Sequence, residues 1–206
     1  MSEPSAPDSG VSPVSPDGLE RSGASSRDEA DAKAWFYLDH REDIEAWASL
    51  RSEGRALLEK SLVGIATDLD EFAEEVSAAR ETTELADGSW PTVGLYRTRW
   101  ATGGIADADV VVQWERSRLL VRGAGTEWPY VGVRIRTDLD DTARRSQICE
   151  AVRPFRSQFT GKPSRNFPCW GHVRASGPLD PEAYVADVLA AYRRLWAAVA
   201  PALDAL

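Results

Sequence analysis

Six large apolar residues recur at helical spacing through the segment 58–76. The intervals between them are 4, 3, 4, 3 and 4 residues, which places all six on one face of an α-helix. They are Leu58, Leu62, Ile65, Leu69, Phe72 and Val76. Because such a face must be covered by other apolar surface, we expect a helix that lies on the core of its own chain. A coiled-coil partner helix is the alternative.

The predicted helix extends from Asp39 to about Thr82, in one piece or two. Traced backwards, the apolar stripe meets Gly54 before it reaches Trp47. Glycine inside a helix costs about 1 kcal/mol relative to alanine. We therefore expect a kink or a break near Gly54.

The spacing of apolar residues changes from helical to alternating after the Asp87-Gly88 turn. Three alternating segments with short glycine-rich connections follow, and a fourth comes after a loop. The predicted strands are 92–100, 109–121, 130–137 and 169–175. Short connections between consecutive strands favour antiparallel pairing.

Two further helices are predicted in the second half of the chain. A short one extends from Asp141 to about Arg153, and a C-terminal one begins at Asp180, an N-cap residue followed by proline, and extends to about Val199. The predicted order is α-β-β-β-α-β-α. This order indicates the α+β class: an antiparallel sheet of about four strands, with a long N-terminal helix, a short helix and a C-terminal helix packed on one face.

The first 32 residues are rich in serine, proline, glycine and acidic residues, a composition that cannot bury enough apolar surface to fold. We therefore expect a disordered tail at 1–32 and a single α+β domain at 33–206. The N-terminus lacks the pattern of a signal peptide, and no apolar run is long enough to cross a membrane. A cytoplasmic location without membrane contact is expected, and Cys149 and Cys169 are expected to be free thiols.

Charge is unevenly distributed along the chain, whose net charge is −9. Residues 1–89 carry 8 basic and 21 acidic groups, whereas residues 90–176 carry 14 basic and 8 acidic groups. The overall charge argues against nonspecific binding of nucleic acid. The basic middle segment, by contrast, does not argue against such binding.

Period-two alternation in the predicted strands gathers arginine and aromatic side chains on one face of the sheet. Such groups suit the recognition of anions and of aromatic rings. The predicted contact residues are Arg97, Arg99, Trp114, Arg116, Arg134, Arg136, His172 and Arg174. We expect a non-enzymatic interaction or regulatory module that binds an acidic protein partner through this face.

Two alternatives stay open at this point. A protein that binds or processes nucleic acid or nucleotides could use the basic segment 90–176. Equally, the face could be an ordinary solvent-facing side of the sheet, whose arginines pair with the acidic first helix. The sequence leaves the oligomeric state undetermined.

The sequence contains no convincing catalytic, metal or cofactor motif. Asp109 with Glu115-Arg116-Ser117 resembles a metal-dependent nuclease pattern but has serine where that pattern needs lysine. Cys169 and His172 have a metal-ligand spacing, yet residues three apart on a strand point to opposite faces. We therefore predict no catalytic residue, no metal ligand and no cofactor, and the question of an enzymatic activity stays open.

Overall fold

The computed structural model of the chain describes residues 22–83, Leu85 and residues 88–206. Residues 1–21, which form most of the predicted tail, lie outside the described residues. The described residues divide into two compact units, one that ends at Arg51 and one that extends from Ser52 to Leu206, and the single domain expected at 33–206 stays a prediction. Helix starts at Ser22, inside the segment predicted to be a tail.

The described part of the first unit is helical except at His40, which separates two helices. Helix α1 is Ser22–Asp39, and helix α2, Arg41–Glu75, begins one residue after it. The backbone amide of His40 donates to the carbonyl of Phe36 (3.1 Å) and that of Ile44 donates to the carbonyl of His40 (3.0 Å). Helical hydrogen bonding therefore continues through the junction.

The second unit begins inside α2, which continues without interruption past Gly54, so the predicted break there is wrong. Most of the heptad stripe is buried: Leu58, Leu62, Ile65 and Leu69 are inaccessible to solvent, Phe72 is nearly so, and Val76 is partly buried. Because these residues belong to the core of the second unit, the prediction of a helix on its own core is confirmed. The stripe is not free to bind a partner helix.

Five antiparallel strands form the main sheet, in the order β1-β2-β5-β6-β7. The strands are β1 (Ala79–Thr83), β2 (Thr92–Tyr96), β3 (Ala101–Thr102), β4 (Ile105–Ala106), β5 (Ala108–Gln113), β6 (Tyr130–Ile135) and β7 (Cys169–His172). Strands β3 and β4 form a separate hairpin, whose turn uses Gly103 and Gly104 at φ of 62° and 83°. The four predicted strands correspond to β2, β5, β6 and β7, whereas β1 lies in a segment predicted to be helical.

Two helices follow the strands in the order that the sequence predicts. Helix α3 is Thr142–Val152, and the Asp141 side chain caps it by accepting from the amide of Arg144. Helix α4 is Pro181–Asp204, and Asp180 caps it by accepting from the amide of Glu182. Helix α3, helix α4 and the part of α2 in the second unit enclose the core with one face of the sheet, and the predicted α+β class is confirmed. Among the described residues, no helix has both the length and the apolar character needed to span a membrane.

Tyr192 of α4 fixes this helix to the centre of the sheet. Its hydroxyl donates to the carbonyl of Val110 (2.8 Å) and accepts from the amide of Leu95 (3.1 Å). Leu95 and Val110 form the last pair of the β2–β5 ladder, so the hydroxyl satisfies backbone groups where the pairing ends. Burial raises the pKa of Tyr192 well above its usual value.

Candidate functional site

The sheet has a second face, opposite the hydrophobic core, which we call the uncovered face although neighbouring side chains leave Val111 and Asp109 almost inaccessible to solvent. Strand residues alternate between the faces: Val110 and Val133 belong to the core, whereas Asp109 and Arg134 point to the other side. The uncovered face carries Asp109, Val111 and Gln113 of β5, Tyr130, Gly132 and Arg134 of β6, and Trp170 and His172 of β7. Most of these side chains are polar or aromatic, which makes this face the candidate site.

Two glycines leave room for neighbouring side chains on this face. A Cβ atom added at Gly94 would come within 2.6 Å of the Asp109 carboxylate, and one at Gly132 would come within 2.6 Å of the Cβ atom of Trp170. Since real Cβ atoms essentially never come so close to another atom, glycine is required at both positions. The glycines therefore determine where Asp109 and Trp170 lie.

At one end of the face, Asp109 and Arg134 form a buried ion pair. Arg134 Nε lies 3.0 Å from Oδ1 of Asp109, and Nη2 lies 2.6 Å from Oδ2. Glu81 of β1 is 3.4 Å from the same guanidinium. Burial raises the pKa of Asp109 to about 6, although the hydrogen bonds from Arg134 act in the opposite direction. The pocket beside the pair has a volume of about 190 Å³, and its charges are already paired within the protein.

At the other end of the face lies a pocket of about 170 Å³, which we call the aromatic pocket. It is lined by Trp90, Tyr130, Phe167, Trp170 and His172, together with Thr126 and Ser164. Strands β6 and β7 provide Tyr130, Trp170 and His172, whereas loops provide the remaining residues. The pocket is open to solvent and offers few hydrogen-bonding groups, so its chemistry suits a flat apolar group.

Tyr130 lies at the centre of the ring cluster that forms this pocket. Its ring makes edge-to-face contacts with Phe167 (5.4 Å between centroids) and His172 (5.8 Å), and a tilted contact with Trp170 (5.2 Å). Its hydroxyl donates to the side chain of Gln113, and burial raises its pKa. These contacts hold the walls of the pocket in place.

His172 and Trp170 are each held by a backbone carbonyl. Nδ1 of His172 lies 2.8 Å from the carbonyl oxygen of Trp128. Nε1 of Trp170 donates to the carbonyl of Lys162 (3.0 Å), and the amide of Gly161 donates to the carbonyl of Trp170 (3.0 Å). The loop between the 3₁₀ turn at 153–158 and β7 is therefore fixed against the edge strand beside the pocket.

Positive charge surrounds this end of the sheet. The segment 151–179 contains five arginine or lysine residues and no aspartate or glutamate. Lys162, Arg165 and Arg174 are exposed, and within the described part of the chain no carboxylate lies at ion-pair distance from them. Lys162 and Arg165 are in the loop that provides Ser164 and Phe167 to the pocket. An anionic group near the aromatic pocket would meet unpaired cations.

A second cavity of about 350 Å³ lies on the far side of His172 along the same edge. Arg174 and Arg194 both line it, with Gln158 and Thr160, and its lining includes no acidic side chain from the described part of the chain. Arg194 is exposed and likewise has no acidic partner among the residues that the structure describes. The cationic character of the β7 edge thus extends to helix α4.

Trp114 and Arg116, two of the predicted contact residues, follow the end of β5 and do not lie on the uncovered face. Trp114 has the same parity as Val110 and Val112, which point into the core, and its side chain is fully buried there. Strand β5 already ends at Gln113. Arg116 pairs with Glu59 of α2 and donates to the carbonyls of Gly88 (2.7 Å) and Leu85 (2.9 Å). Neither side chain forms part of an open face.

Three other predicted arginines lie beyond the ends of the strands. Arg97 pairs with Asp204 of α4, which also accepts from Trp100 Nε1 (2.9 Å). Arg99 is exposed and lies 3.7 Å from the same carboxylate. Arg136 lies 3.1 Å from an oxygen of Asp138 and 3.7 Å from one of Asp107. The expected continuous arginine face is thus divided among intramolecular ion pairs.

Of the eight predicted residues, Arg134 and His172 lie on the uncovered face, and Arg174 lies at its β7 edge. Alternation also places Tyr130 and Trp170 on that face, although neither was among the predicted contact residues. Trp90 and Phe167 belong to loops, where no periodic pattern exists to indicate them. Cys169 points into the core, opposite to His172, and burial raises its pKa to about 11. No group of three or more potential metal ligands was found among the described residues.

Comparison with protein-family models, with curated proteins and with solved structures gave no match for this chain.

Proposed function

We propose that the chain is a cytoplasmic, non-enzymatic interaction module that binds an acidic segment of a partner protein at the β7 edge of its sheet. An aromatic or large apolar side chain of that segment would occupy the aromatic pocket. Neighbouring carboxylates would meet Lys162, Arg165 and Arg174. The observation that carries this proposal is the position of a ring-lined pocket beside a segment that has five cations and no acidic residue.

The size and lining of the pocket support one aromatic side chain as its occupant. A cavity of about 150 Å³ accepts one benzene ring, and the pocket measures about 170 Å³. Aromatic side chains that fill well-formed pockets provide much of the binding energy of protein interfaces. Because the lining has few polar groups, it offers little for reading the edge of a nucleobase. This favours a protein segment over a nucleic acid.

The charge distribution supports an acidic partner. The arginines at the opposite end of the face are matched by Glu81, Asp107 and Asp109, whereas Lys162, Arg165 and Arg174 form no ion pair among the described residues. Unpaired cations at the rim of an interface accelerate association with an oppositely charged partner and give a binding rate that depends on salt. The module would therefore select partners by charge and by the presence of a ring.

The proposal can be tested by fluorescence anisotropy with a labelled synthetic peptide in which one tryptophan is flanked by aspartate and glutamate. We expect this peptide to bind, and we expect its affinity to fall about tenfold or more when its tryptophan is replaced by alanine. A peptide with lysine in place of the acidic residues should not bind. Equal binding of the acidic and the lysine peptides would contradict the proposal.

Variants of the protein test whether the acidic peptide binds at the aromatic pocket. Trp170→Ala removes a wall of the pocket, and Arg165→Glu reverses one of the unpaired charges, so both should weaken binding. Lys60→Glu makes the same charge change as Arg165→Glu at an exposed position on α2 and should have no effect. If instead a single-stranded oligonucleotide binds in a salt-dependent way and Trp170→Ala abolishes that binding, the site serves nucleic acid.

A further inference from the structure

The first unit exposes large apolar side chains that its own fold does not cover. Trp35, Phe36, Trp47 and Leu50 are 67%, 62%, 71% and 56% exposed, and Leu38 is similarly open. From residue 28 to residue 51 the structure contains no fully buried side chain. Because helices in water gain most of their stability from packing of an apolar face, an exposed face of this size indicates a surface that another molecule covers.

Part of this apolar surface forms a regular seam along the helices. Phe36, His40, Asp43, Trp47 and Leu50 follow one another at intervals of 4, 3, 4 and 3 residues, the spacing of the facing positions in a coiled coil. Helical hydrogen bonds continue across His40, so the seam runs from α1 into α2. The Phe36 ring already packs on the His40 ring, with 4.4 Å between centroids.

We infer that this seam binds a second copy of the same chain in antiparallel orientation. When Phe36 of one copy lies opposite Trp47 of the other, His40 lies opposite Asp43. The reason is that the two helices run in opposite directions, and His40 follows Phe36 by four residues just as Asp43 precedes Trp47 by four. Two-fold symmetry repeats both contacts. The seam would then contain two aromatic pairs on either side of two histidine–aspartate pairs.

The charges within the seam favour this orientation over a parallel one. A parallel pair would place Asp43 against Asp43 and His40 against His40, which brings like groups together. In the antiparallel pair each Asp43 carboxylate accepts a hydrogen bond from the imidazole of His40 on the other copy. In the described structure Asp43 forms no ion pair within its own chain, so its carboxylate is available for this contact.

The exposed apolar area of the seam approaches what a specific dimer needs. Aromatic side chains have about 150–250 Å² of surface each, so the exposed parts of Phe36, Trp47 and Leu50 together present roughly 400 Å² of apolar area. A standard interface buries about 800 Å² per partner, of which about 60% is apolar. The seam therefore provides most of the apolar area that a small interface of this kind needs.

Sedimentation of the full chain over about 1–100 μM protein tests this inference, since a small interface is expected to dissociate in that range. We expect a dimer at the upper end for the native sequence and a monomer throughout for Trp47→Glu. Ile105→Glu is the matched control, because Ile105 is an exposed apolar residue of the β4 hairpin, and it should sediment as the native chain does. Circular dichroism of each variant checks that its helices remain folded.

The orientation has its own test. His40→Asp places two carboxylates opposite each other, and Asp43→Lys removes the acceptor, so each variant alone should dimerise about tenfold or more less tightly. Mixed in equal amounts, the two should form a heterodimer, because the carboxylate introduced in one chain then faces the ammonium group introduced in the other. A native chain that stays monomeric overturns the inference and leaves a helix of another protein as the occupant. The inference is also overturned if Trp47→Glu leaves the dimer unchanged. It is overturned likewise if the mixture of His40→Asp and Asp43→Lys dimerises no more tightly than either variant alone.

Discussion

Asp109 and Arg134 face each other across β5 and β6 through two hydrogen bonds, of 3.0 and 2.6 Å. The Asp109 residue is only 2% exposed, and Arg134 retains little contact with solvent. A carboxylate buried in this way depends on its partner, because an unpaired charge inside a protein is costly. The pair therefore joins two central strands, β5 and β6, and at the same time neutralises two charges on the uncovered face.

Replacing Arg134 by alanine should destabilise the fold rather than remove only a contact residue. The variant leaves Asp109 buried without its cation, and breaking a buried pair from one side costs about 3–5 kcal/mol. The free energy of unfolding in urea measures the effect. A double variant, Arg134→Met with Asp109→Leu, removes both charges and should lose much less stability. If Arg134→Ala unfolds at the same urea concentration as the native chain, the pair has no structural role.

The contribution of Asp109 to the stability of the protein should fall as pH rises from about 4 to about 6. Burial raises the pKa of Asp109 from 3.8 in the unfolded chain to about 6 in the folded one, so in this range the folded state holds a proton that the unfolded state releases. This stabilising contribution is fully present below the pKa of the unfolded state and is lost above the pKa of the folded state. Its size is on the order of 1–3 kcal/mol.

Comparison of the native chain with Asp109→Asn isolates this contribution from those of the other carboxyl groups. Urea denaturation at a series of pH values should give a difference in unfolding free energy between the two proteins that changes across the window. Parallel pH profiles for the two proteins would show that Asp109 titrates at the same pH in the folded and unfolded states.

Periodic patterns predicted those helices and strands that bury one apolar face in the hydrophobic core. The interval pattern from Leu58 to Val76 identified the buried face of α2, and the alternation of Val131, Val133 and Ile135 identified the core side of β6. Strand β1 was missed because it has no apolar alternation. Its Arg80 pairs with Asp70 of α2 (2.7 Å), so polar contacts, which a hydropathy pattern does not show, hold one side of that strand.

The candidate site was harder to predict, because it depends on contacts between residues far apart in the sequence. Asp204 accepts from Arg97 and Trp100 across more than a hundred residues, and nothing in the local sequence of Arg97 indicates that it is paired. Trp114 has the same parity as Val110, Val112 and Arg116, so alternation alone did not show that this side of β5 faces the core or that the strand ends at Gln113. The face of His172 followed from alternation in the predicted strand, which the structure contains as the short strand β7.

Tyr192→Phe should destabilise the fold although it removes a single oxygen atom. The hydroxyl satisfies the carbonyl of Val110 and the amide of Leu95 in the core, and phenylalanine leaves both groups unpaired. A buried polar group without a partner costs about 1–3 kcal/mol. Tyr96→Phe is a suitable control, because Tyr96 is only partly buried and its hydroxyl makes no hydrogen bond among the described residues. Equal unfolding free energies for both variants would contradict the role of Tyr192.

Gly132→Ala and Gly54→Ala should change stability in opposite directions. At Gly132 the added methyl group would meet Trp170 Cβ at 2.6 Å and the carbonyl of Cys169 at 3.0 Å, and neither can move without displacing β7. Overpacking of this kind costs about 1–3 kcal/mol. At Gly54 nothing lies within 4 Å of the added atom, and alanine is about 1 kcal/mol more favourable than glycine inside a helix.

Thermal unfolding of the two variants should therefore show a lower midpoint for Gly132→Ala and a higher one for Gly54→Ala. Gly132→Ala should also weaken binding of the acidic tryptophan peptide, because the displaced Trp170 forms a wall of the aromatic pocket, whereas Gly54→Ala should leave that binding unchanged. If Gly132→Ala lowers stability and leaves peptide affinity intact, the position of Trp170 does not determine binding, and the ring of the partner must lie elsewhere on the sheet.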